Sequence, residues 1–194
     1  MRIIGGMYKR KNLSTIPGME TRPTTDRLRE TLFNILAGDV RGAVVLDLFA
    51  GTGALGLESM SRGARCCVFI ENRKEALAVI RKNCAACPDF IQRSKVICWD
   101  VSQNLNCIKS QTPGFDLVFA DPPYGKNLLS PALSALAKSE SLAQGARIVL
   151  EHGSEDPVPQ VQGFHLFDQR TYGRTTVTFL TFEKDDVGLD LSGP

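Results

Sequence analysis

The chain has 194 residues, of which 43% are hydrophobic and 23% are charged. This length suits one domain with a single core, and the composition is that of a soluble globular protein, which excludes a disordered chain. The net charge of +2 excludes a protein that is strongly basic or acidic throughout, and the lack of any apolar run near the roughly 20 residues needed to span a bilayer excludes a transmembrane helix.

The N-terminal segment has a net positive charge, unlike the rest of the chain. Residues 1–30 contain seven basic and three acidic side chains, so the rest of the chain is slightly acidic. A basic segment on a near-neutral body predicts a local face that binds a polyanion. The first residues lack the apolar stretch and the small-residue cleavage site of a secretory signal, so a cytoplasmic location is expected.

The predicted elements begin with an arm and a helix. Apolar residues flank a Gly- and Lys-rich segment near the N-terminus, which predicts a short hairpin or an extended arm. Thr24 or Thr25, followed by Asp26, can then cap a helix whose apolar residues recur at helical spacing until Gly38.

From residue 44 onward, short apolar runs alternate with amphipathic segments. This pattern is typical of an α/β fold, in which helices flank a mostly parallel sheet. The predicted strands are 44–49, 66–70, 95–99, 115–120 and 147–150, followed by a terminal antiparallel hairpin of 164–170 and 175–182. The predicted helices are 54–62, 73–86, 102–109 and 128–138.

Six cysteines lie at positions 66, 67, 84, 87, 98 and 107. A chain of this length without a secretion signal is expected to keep them as free thiols. Cys84 and Cys87 form a Cys-x-x-Cys pair, but no second pair stands at zinc spacing and both histidines are distant in sequence. We therefore expect no metal site and interpret the pair as two small buried residues on a helix.

A Gly-rich turn follows the first predicted strand. Gly51, Gly53 and Gly56 satisfy the Gly-x-Gly-x-x-Gly fingerprint of dinucleotide-binding proteins, and Glu71 follows Gly51 by 20 residues at the end of the next strand. Glycine lets a ligand approach the backbone closely. A dinucleotide is therefore one interpretation of this turn.

The acidic residues favour a different ligand. Asp47 stands at the end of the first strand, where a carboxylate repels a pyrophosphate but attracts an ammonium group. S-adenosylmethionine has that ammonium and no phosphate. Glu71 can bind ribose hydroxyls in either cofactor, and Asp100 can accept the adenine amino group. Three acidic residues at three successive strand ends predict a nucleoside site at the carboxyl edge of the sheet.

Asp121-Pro122-Pro123-Tyr124 follows the fourth predicted strand. Two successive prolines make the backbone rigid and remove two N–H donors, so the segment presents acceptors without competing donors. The Asp121 carboxylate and the Pro122 carbonyl can each accept one N–H from a planar amine, and Tyr124 can stack on a base. The motif therefore predicts methyl transfer to an exocyclic amine, with the released proton passing to Asp121 or to water.

Five segments together resemble the RsmD family of bacterial methyltransferases, which act on guanine N2 in small-subunit (16S) ribosomal RNA. They are 21–34 (TRPTTDRLRETLFN), 47–53 (DLFAGTG), 55–59 (LGLES), 61–64 (SRGA) and 121–124 (DPPY). The resemblance implies a seven-stranded class I methyltransferase sheet with a short N-terminal extension. It divides the chain into a basic arm and helix (1–38), a methyltransferase domain (39–184) and a tail expected to be flexible (185–194).

The resemblance also implies roles for individual residues. Cofactor binding is expected from Asp47, Phe49, Ala50, Gly51, Gly53, Leu55, Glu71, Asn72, Asp100 and Val101, and catalysis from Asp121, Pro122, Pro123 and Tyr124. RNA contacts are expected from Arg10, Lys11, Arg22, Thr24 and Arg27. The implied cofactor is S-adenosylmethionine, with S-adenosylhomocysteine as product, and the implied partner of a monomeric enzyme is 16S ribosomal RNA or the assembling small subunit.

One departure from the family and several alternatives stay open. The family often has a Gly-Arg pair where this chain has Arg10-Lys11, so the geometry of the arm's turn is uncertain from sequence. The alternatives are an adenine-N6 DNA methyltransferase, a glutamine-amide protein methyltransferase, a non-catalytic RNA-binding assembly factor and a dinucleotide oxidoreductase.

Overall fold

The computed structural model describes residues 1–16, 26–109, 114–123 and 125–184. In chain order the strands are β1 (Val44–Leu48), β2 (Cys66–Glu71), β3 (Ser94–Cys98), β4 (Phe115–Ala120), β5 (Leu142–Gly153), β6 (Phe164–Tyr172) and β7 (Thr175–Phe182). The helices are α1 (Asp26–Ile35), α2 (Ala37–Val40), α3 (Ala54–Ser61), α4 (Lys74–Ala85), α5 (Pro88–Arg93) and α6 (Leu129–Lys138).

The seven strands form one sheet in the order β3-β2-β1-β4-β5-β7-β6. Strands β1 to β5 run parallel, and β7 pairs antiparallel with both β5 and β6. The predicted mostly parallel, seven-stranded sheet with a C-terminal antiparallel hairpin is therefore confirmed. No helix in the described part of the chain is long and apolar enough to cross a membrane.

The central strand β1 is buried along its whole length because helices cover both faces of the sheet. Val45 packs into a cluster that includes residues of α1, α3 and α4, whereas Val44, Leu46 and Leu48 pack into a second cluster that includes residues of α6. Burial on both faces explains why this strand has a continuous apolar run rather than an alternating one.

The N-terminal arm is a short hairpin closed by a bridge between Arg2 and Asn12. It is held by the carboxylate of Glu58 in α3, which is only 1% exposed. The N–H groups of Ile4 and Gly5 each donate to this carboxylate at 2.7 Å, and Arg62 Nε donates at 2.7 Å. A carboxylate in the middle of an apolar helix therefore fixes the arm to the domain.

Arg10 has a φ of +71°, in the left-handed region that favours glycine. The resemblance led us to expect glycine at this position, and Arg10 adopts the left-handed geometry that glycine favours. The side chain is exposed, and the Arg10 N–H donates to the carbonyl of Ile3 at 2.8 Å. Arg10 is therefore a strained residue in the turn of the arm.

Several predicted boundaries were wrong. Residues 102–109 do not form an α-helix, and only a 3₁₀ turn forms at Asn106–Ile108. Asp100 accepts hydrogen bonds from Ser102, and Trp99 Nε1 donates to the Asn104 carbonyl. These local side-chain hydrogen bonds replace the helical ones. Helix α5 was not predicted, and β5 extends well beyond 147–150. The first helix ends at Ile35, before the separate turn of α2, and its proposed cap at Thr24 or Thr25 lies outside the described residues.

Candidate active site

The strand order creates a crevice at the centre of the sheet. From β1 the chain moves outward through β2 and β3, and β4 then returns to the other side of β1. Ligands of open α/β sheets bind at such a reversal, beyond the carboxyl ends of the strands. Leu48 pairs with Ala120, so the Gly-rich turn after β1 and the Asp121 segment after β4 emerge side by side.

The Gly-rich turn is left-handed at three positions. Phe49, Gly51 and Gly53 have φ values of +59°, +57° and +77°. A non-glycine residue in this region costs about 1–3 kcal/mol and persists only where the surroundings impose it. Here the next N–H, of Ala50, donates to the Ile70 carbonyl at 3.0 Å. The turn is thus held against the end of β2.

A Cβ would fit at Gly51, whereas Gly56 has no room for one. A Cβ added at Gly51 would meet no atom closer than 3.8 Å. A Cβ added at Gly56 would lie 2.6 Å from Cys67 Sγ and closer still to the ring of Phe69. Gly56 therefore serves the close packing of α3 on β2, the role of the third glycine in this type of turn.

Asp47 is 3% exposed, and Gly56 N–H donates to its Oδ2 at 3.0 Å. Burial raises its pKa from 3.8 to about 8, the Gly56 hydrogen bond opposes this shift and the charge of Glu71 adds to it. The carboxyl group thus lies beneath the turn, against the first turn of α3. Leu55 and Ala50, which were also predicted to contact the cofactor, are buried beside it in the same loop-helix segment.

Glu71 ends β2 and holds the Gly-rich turn. Its Oε2 accepts the Gly51 N–H at 2.9 Å, and its Oε1 accepts the N–H groups of Asn72 and Arg73 at 3.0 and 2.9 Å. Arg73 Nε lies 3.2 Å from the same Oε1, while the Asn72 side chain is exposed. Glu71, which was predicted to bind the ribose, and Asn72, which was predicted to contact the cofactor, therefore lie beside the turn. Arg73 lies there as well and was not predicted from the sequence.

Asp100 and Val101 follow β3. The Asp100 Oδ1 accepts the N–H and the hydroxyl of Ser102 at 3.0 and 2.7 Å, and these bonds lower its pKa. Val101 is buried. The carboxylate is thus ionised at neutral pH and lies at the same edge of the sheet as Asp47 and Glu71, as the strand-end pattern predicted.

Asp121 is half-buried at the end of β4, and Pro122 is buried behind it. Burial raises the pKa of Asp121 well above its usual range, and the charges of Glu151 and Asp47 raise it further. Pro123 is exposed. Tyr124, the fourth residue of the predicted catalytic set, lies outside the described residues.

A cavity of about 370 Å³ opens beside the Asp121 segment. Pro122 and Pro123 form one part of its wall. The rest comes from the start of α6 and from the end of β5 with the loop that follows it, and the residues are Gly125, Asn127, Leu128, Leu129, Ser130, Glu151, His152, Asp156, Pro157 and Pro159. Sequence reasoning missed the β5 wall, although Glu151-His152 directly after an apolar strand could have indicated it.

The residues predicted to contact RNA do not gather at this cavity. Arg10 and Lys11 are exposed near the tip of the arm, which packs on the C-terminal end of α3 and near α5, at the opposite edge of the sheet. Arg27 is exposed on α1. Arg22 and Thr24 lie outside the described residues. RNA contacts from Arg10 and Lys11 stay a prediction. They require an RNA large enough to reach from the cavity to the opposite edge of the sheet.

The six cysteines are unpaired, and Cys84 and Cys87 are both buried. Cys84 lies on α4, whereas Cys87 precedes α5, so the prediction that both lie on one helix was wrong. Among the residues that the structure describes, no three His, Cys, Asp or Glu side chains are grouped so that they could hold a metal ion.

Comparisons with known proteins agree with this geometry. The family described as "Conserved hypothetical protein 95" matches residues 1–181. The chain is 33% identical over 178 residues to the Bacillus subtilis protein YlbH, and the match covers 91% of this chain and 96% of YlbH. It is 34% identical over 173 residues to "Ribosomal RNA small subunit methyltransferase D" of Haemophilus influenzae, which covers 89% of each chain.

Solved structures show the same fold. The structure titled "Putative methyltransferase yhhF from Escherichia coli" superimposes with a TM-score of 0.81 at 34% identity, and the match covers 94% of this chain and 98% of that one. The fold is therefore the predicted class I methyltransferase fold. The chain belongs to the family described as "Conserved hypothetical protein 95", the RsmD family that the sequence motifs resembled.

Proposed function

We propose that this protein transfers a methyl group from S-adenosylmethionine to the exocyclic N2 amine of a guanine in 16S ribosomal RNA. The observation that carries the proposal is the position of the Asp121-Pro122-Pro123 segment, directly across from the Gly-rich turn and beside a cavity. Relatives from Haemophilus influenzae and Escherichia coli, 34% and 36% identical, are named ribosomal RNA small subunit methyltransferases, which supports the ribosomal substrate.

The residues at the carboxyl edge suit a nucleoside with an amino-acid tail. Gly51 has no side chain to hinder a ligand, and the Asp47 carboxyl lies below the turn, near the place proposed for the ammonium group. Glu71 and Asn72 are proposed to contact the ribose, and Asp100 with Val101 the adenine. Phe49, Ala50, Gly53 and Leu55 complete the proposed cofactor contacts.

Bound S-adenosylmethionine supplies an activated methyl group, so the protein needs mainly to position the amine. Asp121 and the Pro122 carbonyl accept the two N–H groups and direct the nitrogen lone pair at the methyl group. Because the pKa of Asp121 is raised, its carboxylate is a stronger base than an exposed one and suits the proton that leaves the nitrogen. Tyr124 is proposed to stack on the base.

The test is transfer of labelled methyl from S-adenosylmethionine to small-subunit particles or RNA from cells that lack the native enzyme. A nucleoside digest should place the label in N2-methylguanosine. Label in adenosine, in DNA or in protein would instead support the other methyltransferase classes. NADH binding without S-adenosylhomocysteine binding would support the oxidoreductase.

Asp121→Ala separates catalysis from binding. We expect transfer to be abolished while the affinity for S-adenosylhomocysteine stays within a few-fold, because the Asp121 side chain contacts the amine rather than the cofactor. Asp168→Ala, on the β6 strand of the terminal hairpin, is the matched control and should transfer normally. Full activity in Asp121→Ala would contradict the role of this residue, and no transfer by the wild-type protein would favour a non-catalytic assembly factor.

A further inference from the structure

The wall of the cavity formed by the end of β5 contains a carboxylate that the known motif does not include. Leu150 pairs with Ala120, so Glu151, near the end of β5, is in register with Asp121, the residue directly after the neighbouring parallel strand β4. Such strands lie about 4.8 Å apart. Glu151 is half-buried and lines the cavity together with Pro122 and Pro123. Glu151 therefore lines the cavity, and the strand register places Asp121 beside it at the end of the neighbouring strand.

His152 and Asp156 also lie in this wall and make hydrogen bonds within the protein. His152 is 3% exposed, with Nδ1 at 2.9 Å from the Gly153 carbonyl and Nε2 at 2.9 Å from Thr178 Oγ1. Asp156 Oδ2 accepts the Gly153 N–H at 3.0 Å and so shapes the loop. Of the residues in this wall, Glu151 is the one in register with Asp121.

The charge of the cavity indicates what it can bind. None of the described residues that line it is lysine or arginine, whereas Glu151 and Asp156 are acidic. The charge of Glu151 also contributes to the raised pKa of Asp121, which agrees with two carboxyl groups near each other. A wall of this kind suits the part of a ligand that carries N–H donors and disfavours a phosphate.

We propose that Glu151 selects guanine by accepting its N1–H, beside the N2 amine held by Asp121 and the Pro122 carbonyl. Guanine presents N1–H and N2–H donors next to each other, which matches two adjacent acceptors. Adenine presents an N1 lone pair beside its N6 amine, and a carboxylate repels that lone pair. This inference rests on the proposed methylation of guanine N2 and adds the residue that distinguishes guanine from other amine-bearing bases.

2-Aminopurine tests the role directly. It keeps the 2-amino group of guanine but has a lone pair at N1 in place of N1–H. The substrates are small-subunit RNAs that carry either guanine or 2-aminopurine at the methylated position found by the nucleoside digest. We expect the wild-type enzyme to methylate 2-aminopurine with a kcat/KM at least about 100-fold below that for guanine. Equal rates on the two bases would overturn the proposal without any variant.

Glu151→Gln then assigns the discrimination to this side chain. The amide can turn its NH₂ group toward the N1 lone pair of 2-aminopurine or its oxygen toward the N1–H of guanine. The ratio of the two kcat/KM values should therefore fall at least about 10-fold relative to wild type, because the repulsion is gone. The two amines differ in intrinsic reactivity, but this difference affects wild type and variant equally, so it cancels when their ratios are compared.

Glu151→Ala is the second variant, and Glu183→Gln, on an exposed residue after β7, is the matched control. The ratio of kcat/KM for guanine to kcat/KM for 2-aminopurine should fall in Glu151→Ala and stay at the wild-type value in the control. An unchanged ratio in a Glu151 variant that binds S-adenosylhomocysteine normally would overturn the role of Glu151 and leave the proposed function standing. Methyl transfer to adenine by the wild-type enzyme would overturn both.

Discussion

Replacing Glu58 by glutamine tests how the N-terminal arm is held. Glu58 is buried in α3, and its carboxylate accepts the N–H groups of Ile4 and Gly5 and the Nε of Arg62, each at 2.7 Å. Glutamine has nearly the same shape but only one acceptor oxygen. Its NH₂ group must therefore face one of the donors that the carboxylate now satisfies.

The size of the effect follows from these three bonds. Hydrogen bonds to a charged group contribute about 1.5–3 kcal/mol each, and a buried donor left unpaired costs about 1–3 kcal/mol. Glutamine removes the charge and at least one of the bonds. We expect Glu58→Gln to lower the free energy of unfolding by about 2–4 kcal/mol, which is a large part of the stability of an ordinary domain.

Urea unfolding measures this change. With a slope of about 2 kcal/mol per molar for a protein of this size, the midpoint should fall by about 1–2 M. Limited trypsin digestion should also cut faster at Lys9, Arg10 and Lys11, because the arm leaves the domain more often. Glu30→Gln, at an exposed position of α1, is the control and should change the stability by less than about 0.5 kcal/mol. A loss below 0.5 kcal/mol in Glu58→Gln would refute the proposed anchoring.

Three further changes test local features of the fold. Arg10→Gly should stabilise the protein by about 0.5–1 kcal/mol in thermal unfolding, since it relieves the left-handed strain, whereas Lys9→Gly should not stabilise it. Gly56→Ala should destabilise by about 1–3 kcal/mol because its Cβ meets Cys67 and Phe69, while Gly38→Ala, which meets nothing within 4 Å, should stabilise slightly; equal effects would contradict the packing role. Burial raises the pKa of Asp47 from 3.8 to about 8, so the stability that its neutral form contributes is complete below about pH 4 and is lost as the pH rises through about 8. Across this range the free energy of unfolding of Asp47→Asn should increase relative to that of wild type by at most about 1.4 kcal/mol per pH unit. Parallel pH profiles of the two proteins would contradict the raised pKa.

The sequence by itself determined the order of the main elements and the family. Strands β1, β2 and β4 were predicted because buried strands have apolar runs that are visible locally, and β3 and the terminal hairpin were predicted from their β-forming residues. The Gly-rich turn and the Asp121 segment are short contiguous motifs. The rule that parallel strands end at one edge then brought Asp47, Glu71 and Asp100 together before any coordinates were known. The placement of these residues at that edge follows from chain direction alone.

Where local bonds compete, the sequence pattern misled. The segment 102–109 has helical spacing, but Asp100 and Trp99 use side-chain hydrogen bonds that favour a turn. The site roles of the strand-end residues also stay predictions until a cofactor complex or a variant tests them. The sequence pattern alone does not show which of two nearly equal local conformations forms, because contacts with residues elsewhere in the chain also contribute.

Only the tertiary structure decided which distant residues meet. It brought Glu151 beside Asp121 through the pairing of β4 with β5, and it put the arm on Glu58, more than 50 residues away in sequence. It also carried Arg10 and Lys11 to the edge of the sheet opposite the cavity. Such pairs leave no periodic mark in either segment, because strand order and docking arise from packing of the whole domain. The chemistry of the amine site was thus visible in the sequence, whereas the second wall of its cavity and the course of its basic arm were not.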